Sequence, residues 1–202
     1  MSVRTFIKGT SYWIRFENAK RANALTEKMY DEICRGLDEA DRNPHTTFTI
    51  FTGEGKYYSS GNDFSPAVWN TARAASKDVE IGFSRFTRRL IDHDKVLIGL
   101  VNGPAMGMSA TTLALMDYLV CSDTTFFHLP FPILGVCPEA ASSTLLPAIL
   151  GPSRASGMML FGDRLEAEEA RRCGFVGKVV PSQSFVSQTE EMMEQFQRLP
   201  RH

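Results

Sequence analysis

The chain has no cysteine pair, no long apolar run and almost no net charge, and each absence removes a class of function. Its four cysteines, Cys34, Cys121, Cys137 and Cys173, stand far apart with no Cys-x-x-Cys spacing. That fits neither a disulfide scaffold nor a thiolate zinc site, and it points to a reducing compartment. No apolar stretch approaches the roughly 18 residues that span a bilayer. Net charge is -1, whereas a dedicated nucleic-acid binder carries a basic face or arm. Nucleotide and hydrolase fingerprints are missing too. There is no Gly-x-x-x-x-Gly-Lys-Ser/Thr, no Gly-x-Gly-x-x-Gly opening a helix and no Gly-x-Ser-x-Gly. The histidines His45, His93, His128 and His202 show no metal-ligand spacing. His128, between Phe127 and Leu129-Pro130, reads as structural.

What is present is a 202-residue chain, 43% hydrophobic, without an internal repeat or a Pro/Gly/Ser-rich linker. Residues 1–202 are therefore expected to form one domain. The first residues show no signal-peptide core and leave no room for a transit peptide, and the last are not a Ser-Lys-Leu address. Tyr12 to Glu17 alternates and predicts a strand. Thr26 is a candidate N-cap, with Glu27 well placed for the helix dipole, and Asn43-Pro44 stops the helix that follows. Strands are predicted at Thr47–Thr52, at the almost wholly apolar Val96–Val101 and at Tyr118–Cys121, with helices at Glu80–His93 and Gly107–Met116. Ser65 to Asp78 is poorly patterned. Alternation of this kind argues an α/β fold with parallel pairing. Further on, helices are expected over Ala140–Leu150 (kinked or broken at Pro147), Ser153–Phe161, Glu166–Cys173 and Ser182–Leu199. A last strand is expected over Phe175–Val180.

Two small-residue turns carry the chemistry. Ser59-Ser60-Gly61-Asn62-Asp63 lies just beyond the 47–52 strand, and Asn102-Gly103-Pro104-Ala105-Met106-Gly107-Met108 follows the 96–101 strand directly. Small residues let backbone N–H groups approach a ligand closely. Two such turns brought together could aim two N–H groups at one oxygen, as in an oxyanion hole; ordinary tight turns are the other reading. One carboxylate stands out. Glu139 follows Pro138 among apolar and small residues, where burial would raise its pKa toward the range useful for proton transfer. A helix-N-terminal glutamate satisfying the dipole is the equal alternative. Asp63 reads as an Asx-type turn former.

Four stretches in order resemble the crotonase superfamily, the enoyl-CoA hydratases and isomerases. They are Asn23-Ala24-Leu25, the Ser-Ser-Gly-Asn-Asp turn, Val101-Asn102-Gly103-Pro104-Ala105 and Gly162 to Val176. Within the superfamily the pattern most resembles the Δ3,Δ2-enoyl-CoA isomerase branch, found in peroxisomes and mitochondria. The resemblance implies a spiral of ββα turns, with most of a C-terminal helical segment missing, and a homotrimer put in doubt by that shortening. It implies that Glu139 is the catalytic base and that the amides of Ser60 and Met108 form the oxyanion hole. Ser59, Gly61, Asn62, Asp63, Gly107, Ala22 and Ala24 would contact substrate. Lys20 and Arg21 match the nucleotide-contacting stretch, although solvated loop charges read equally well. Phe64 and Trp69 would help line the acyl pocket.

The resembling hydratases use two glutamates, and their places are taken here by Thr111 and Phe131. The implied reaction is therefore a double-bond shift on a 3-enoyl-CoA thioester. Coenzyme A would enter as part of the substrate, with no metal or redox cofactor and with neither nucleic acid nor membrane as partner. The expected location is peroxisome or mitochondrion, otherwise cytoplasm. A non-catalytic acyl-CoA-binding or scaffold domain is the alternative from another class, and a thioester hydrolase is a third reading.

Overall fold

A computed structural model describes residues 2–65 and 81–199. Its main sheet grows from the apolar alternation of the early chain. Strand β1 (Ser2–Lys8) pairs antiparallel with β2 (Ser11–Glu17). A crossover through helix α1 (Glu27–Arg42) leads to β3 (Phe48–Gly53), parallel to β2. Helix α2 (Gly82–Ile91) returns the chain to β4 (Val96–Val101), parallel to β3. Strands β6 (Tyr118–Ser122) and β9 (Lys178–Val180) complete the order β1-β2-β3-β4-β6-β9. The β1 strand was not anticipated, because its pattern is half-exposed and weakly alternating.

Helix α1 begins where the sequence places it. The Thr26 side chain accepts the Met29 N–H, and Asn43 closes the helix ahead of Pro44. Its apolar stripe, Met29, Ile33 and Leu37, is buried in one core with Ile14, Phe16, Phe51 and Val101 from one face of the sheet. Ile50, Ile98, Leu100 and Val120 point the other way. They meet Phe185, Met192 and Met193 of the last helix, α8 (Phe185–Phe196). β4 is apolar almost throughout because both of its faces are covered.

A second sheet was not anticipated. Strands β5 (Ala105–Met106), β7 (Phe126–His128) and β8 (Arg164–Glu166) pair in the order β5-β7-β8. The expected 107–116 helix is instead a single α turn, α3 (Met108–Thr111), continued as a 3-10 turn over Thr112–Leu115. After α4 (Phe131–Leu134) comes α5 (Ser142–Leu150). It runs through Pro147 without a break, and it starts late because Ala140 and Ala141 both have positive φ. Helices α6 (Pro152–Phe161) and α7 (Ala167–Arg172) follow, with Gly162 and Gly174 as left-handed stops. The last strand is shorter than expected, since Phe175 and Val176 form turn hydrogen bonds to Ala170. Most of the stretch from Ser65 to Asp78, with Trp69, lies outside the described residues, as does Glu80. Among the described residues no helix is long and apolar enough to cross a membrane.

Candidate active site

The first turn is built on Asn23, which is fully buried at positive φ. Its side-chain N–H groups reach the carbonyls of Glu54 (2.9 Å) and Tyr57 (2.8 Å). Its Oδ1 accepts the Asn18 N–H at 2.9 Å. This one carboxamide joins the loop before α1 to the exit of β3. Ser59 is also fully buried; its hydroxyl donates to the Asn23 carbonyl at 2.8 Å and accepts the Gly61 N–H at 3.1 Å. Both roles are internal, so Ser59 shapes the turn and does not face a ligand.

Ser60 corrects the expected oxyanion hole. Its N–H donates to the Ala22 carbonyl at 2.8 Å, so that amide is not free for a ligand. The available amide is two residues on. The Leu25 N–H bonds the Gly61 carbonyl at 2.8 Å, and the Asp63 N–H bonds the Leu25 carbonyl at 2.9 Å. This parallel bridge brackets Asn62 and turns its own N–H outward. Gly61 lets the second turn come near. A Cβ there would lie 2.6 Å from the Met106 carbonyl oxygen and 3.3 Å from the Met108 nitrogen, at a φ of +87°.

The second turn is held from both sides. Asn102 accepts the Gly53 N–H at 2.9 Å and donates to the Gly55 carbonyl at 2.8 Å. The Met106 N–H reaches the Ser59 carbonyl at 3.0 Å, and the Gly107 N–H reaches the His128 carbonyl at 2.8 Å. Met108 opens α3, where the first amides of a helix have no internal acceptor. Among the described residues neither the Asn62 nor the Met108 N–H has a hydrogen-bond acceptor.

Both residues line a cavity of about 270 Å³, together with Gly107 and Glu139. Its apolar wall comes from Phe64, Phe83, Phe131, Leu134 and Val136. Glu139 is half-buried, and desolvation pushes its carboxyl up to about 7 from an ordinary 4.5. No hydrogen bond reaches that carboxyl among the described residues. The segment is held under strain: Ala140 and Ala141 follow at φ 52° and 58°, a region that costs a residue with a Cβ about 1 kcal/mol or more. The Ser142 N–H closes the turn onto the Glu139 carbonyl at 3.0 Å. Thr111 is buried with its hydroxyl on the Met108 carbonyl, and Phe131 is apolar wall.

The other expected contacts lie elsewhere. Ala22, Ala24, Gly61 and Asp63 do not line the cavity. The Ala22 carbonyl takes the Ser60 amide, and the Ala24 carbonyl takes the Asn18 side chain. Asp63 does form an Asx turn, accepting the Ser65 N–H at 2.9 Å. It also holds Arg21 through two bonds of 2.9 Å, so Arg21 is a paired charge that is still partly in solvent. Tyr30 was missed. Its buried hydroxyl donates to Asn62 Oδ1, and burial followed by the charges of Glu139 and Glu27 holds it protonated, well above its ordinary pKa. The Arg21–Asp63 and Tyr30–Asn62 pairs are 42 and 32 residues apart, and no local pattern announces them.

A family model described as enoyl-CoA hydratase/isomerase matches residues 7–202. The chain belongs to that family. Like other members it has the crotonase fold: a solved enoyl-CoA hydratase/isomerase from Pseudoalteromonas atlantica superposes with a TM-score of 0.87 at 26% identity, covering 99% of this chain and 78% of that one. Among curated members, enoyl-CoA delta isomerase 2 of Rattus norvegicus is 40% identical over 190 residues, which are 93% of this chain and 48% of the rat protein. The peroxisomal enoyl-CoA delta isomerase 3 of Mus musculus is 36% identical over 92% of this chain and 59% of its own length. The chain thus spans about half the length of the rat isomerase. In this family member, among the described residues, no cluster of three or more His, Cys, Asp or Glu side chains could hold a metal.

Proposed function

We propose that this protein shifts the double bond of 3-cis- or 3-trans-enoyl-CoA to give 2-trans-enoyl-CoA. The observation that carries the reading is a half-buried carboxyl poised near pH 7 in the same cavity as two unengaged backbone amides. The thioester carbonyl accepts the N–H groups of Asn62 and Met108. Glu139 removes a proton from C2, and the charge spreads over a dienolate whose oxygen stays between the two amides. The protonated Glu139 then returns the proton to C4. One residue serves both carbons because they lie along one edge of a planar dienolate. A base of pKa near 7 suits both halves, accepting and returning a proton at similar ease.

The apolar wall takes the acyl chain, and the coenzyme A moiety runs toward Lys20, which is exposed beside the Ala22 loop. The proton transfer calls for no metal or redox cofactor. A hydratase reading would need a second carboxylate to activate water, and Thr111 and Phe131 stand where the resembling hydratases have theirs. The peroxisomal name of the mouse relative supports a peroxisomal location, and family resemblance supports a role in fatty-acid oxidation, there or in mitochondria, and a homotrimer. The test is direct. Purified protein is given 3-trans-enoyl-CoA, and conjugated 2-enoyl-CoA is followed by ultraviolet absorbance. Glu139→Gln should lose about 10²–10⁴ in rate while still binding the CoA ester. Equal rates would reject Glu139 as the base; silence from both proteins with intact binding would favour a non-catalytic acyl-CoA-binding domain.

A further inference from the structure

Asn62 offers the cavity more than its backbone. Tyr30 sits on α1, 3% exposed, with its ring 5.9 Å from Phe86. Glu27 receives the Gly82 N–H at 3.1 Å, which fixes the start of α2 against the same turn of α1. A phenol buried this deeply must place its proton on an acceptor. Among the described residues the acceptor is the Asn62 side-chain oxygen. The orientation of the carboxamide follows from that bond. With Oδ1 turned toward Tyr30, the NH₂ group is the end left for the cavity; the opposite orientation would leave the buried hydroxyl proton without a partner.

That NH₂ group has no acceptor among the described residues, although Asn62 lines the cavity. The residues that carry two backbone donors, one side-chain donor and an unbonded carboxyl thus line one cavity. Donors left unsatisfied in a half-buried site point to an acceptor supplied by a ligand. Resting on the isomerase reading, we propose that the Asn62 carboxamide is a third donor to the acyl oxygen of the bound thioester, and that Tyr30 is the positioning residue that keeps its NH₂ turned inward. Burial first, and then the Glu139 charge, keeps the phenol protonated and a donor throughout the working pH range.

Three variants separate this role from a merely structural one, because each leaves the residue-62 backbone amide in place. Asn62→Ala removes the third donor. Asn62→Asp keeps an acceptor for Tyr30 but presents a negative oxygen to the developing oxyanion. Tyr30→Phe frees the carboxamide to turn. The expected order of damage to kcat is Asp, then Ala, then Phe, at losses of about 10³, about 10² and about 10-fold. KM should stay within about threefold, since a donor to developing charge acts in the transition state. If Asn62 serves only as the acceptor for Tyr30, the two Asn62 variants change places. Asn62→Asp would then stay near wild type while Asn62→Ala suffers most, and that result overturns the proposal.

A second readout does not depend on turnover. A 3-oxoacyl-CoA forms an enolate that absorbs in the near ultraviolet. Wild type should draw it into the enolate form, Asn62→Ala less so, and Asn62→Asp not at all, with circular dichroism confirming that each variant is folded. Wild type that stabilises the enolate in this order yet shifts no double bond would remove the isomerase reading and leave the third donor standing. An unchanged enolate in Asn62→Asp would remove the third donor and leave the isomerase. Wild type that neither stabilises the enolate nor shifts the double bond would remove both.

Discussion

Two cavities of nearly equal size lie on opposite faces of the main sheet, and they differ in how far their polar groups are engaged by the protein. The cavity at Glu139 measures about 270 Å³ and the other, bordered by Phe6, Trp13, Leu100 and Phe185, about 290 Å³. In the second cavity three of the four charged side chains are already matched, and the fourth, Glu54, is exposed to solvent. Lys8 pairs with Glu190 at 2.9 Å, and Arg15 pairs with Glu17. Phe6 and Trp13 stack at 5.6 Å, and among the described residues the one fully buried side-chain polar atom of this cavity without a partner is the indole nitrogen of Trp13. In the first cavity a carboxyl and two amides belong to residues of one lining and have no hydrogen-bond partner among the described residues. Volume alone does not mark a site. What marks it is polar groups held at a cost the fold itself does not need, and substitutions should show it.

The largest contrast is between two glutamates. Glu139→Gln should remove about 10²–10⁴ of the isomerase rate, while Glu190→Gln, beside the other cavity, should leave it unchanged. The same substitution should stabilise the protein. The raised pKa means that folding holds the Glu139 proton more tightly than the unfolded chain does. Below about pH 4.5 both states are protonated and nothing is lost. Between there and about pH 7 the unfolded chain ionises first, so wild-type stability falls as pH rises. Glu139→Gln should therefore melt at the wild-type temperature near pH 4.5 and a few degrees above it at pH 8, discounting the shift for partial exposure. Wild-type kcat/KM should rise with pH through about 7, as the base loses its proton. A flat profile would place the working group elsewhere.

Next in size is Gly61→Ala. Its Cβ would be driven to 2.6 Å from the Met106 carbonyl, and its φ of +87° excludes a side chain. Refitting the turn should cost about 2 kcal/mol of stability. Separating the two amides should also cost about 10² or more in rate, the scale of losing one oxyanion donor. Gly135→Ala is the control: φ is again positive, at +63°, but nothing lies within 4 Å. It should lose about 1 kcal/mol with little change in rate. Equal activity in the two variants would show that strain, and not the closeness of the turns, governs the site.

These contrasts also show where sequence reasoning stops. The six-stranded sheet was largely legible because β2, β3, β4 and β6 run five to seven residues, long enough for periodicity and flanking turns to speak. The small sheet is made of strands of two and three residues. No period can be read in so few, and its pairing is fixed only once Ser59 meets Ala105. The site divides the same way. Glu139 and the two turns were legible as residue types in an apolar or small-residue setting. Which amide of the first turn is free was not, because a sequence does not show that Leu25 pairs around position 62 and engages the carbonyl of 61 and the amide of 63. That bridge moves the free amide two residues on, from Ser60 to Asn62. Tyr30 and Arg21 were out of reach for the related reason that their partners arrive from across the fold.

A smaller effect is expected at Arg21. Its guanidinium holds Asp63, whose side chain is only 4% exposed, while Arg21 itself is 44% exposed. Arg21→Ala leaves a buried carboxylate with one remaining side-chain-bonded donor among the described residues, the Ser65 N–H. The loss should be about 1–2 kcal/mol, below the figure for a fully buried pair because water reaches the Arg21 side. Asp63 directly follows Asn62, so rate should fall about fivefold through the loosened turn. Arg21→Lys should recover little of it, since an ammonium cannot make two parallel bonds to the carboxylate.

The smallest effect belongs to the other cavity, and it is the one that tests the comparison from below. Lys8 and Glu190 are each close to half exposed, so their attraction is screened and offset by the entropy of fixing two long side chains. Lys8→Ala should change stability by no more than about 0.5 kcal/mol and leave the isomerase rate at wild type. The neighbouring hairpin keeps its other ties, since Gln197 bonds the Lys8 carbonyl at 3.1 Å and the Ser11 hydroxyl at 3.0 Å. A clear loss of rate in Lys8→Ala, read beside an unchanged melting temperature, would mean that the satisfied cavity communicates with the unsatisfied one through the sheet, most directly along β3, whose end at Gly53 is bonded to Asn102. The contrast between the two cavities would then fail as a guide to function.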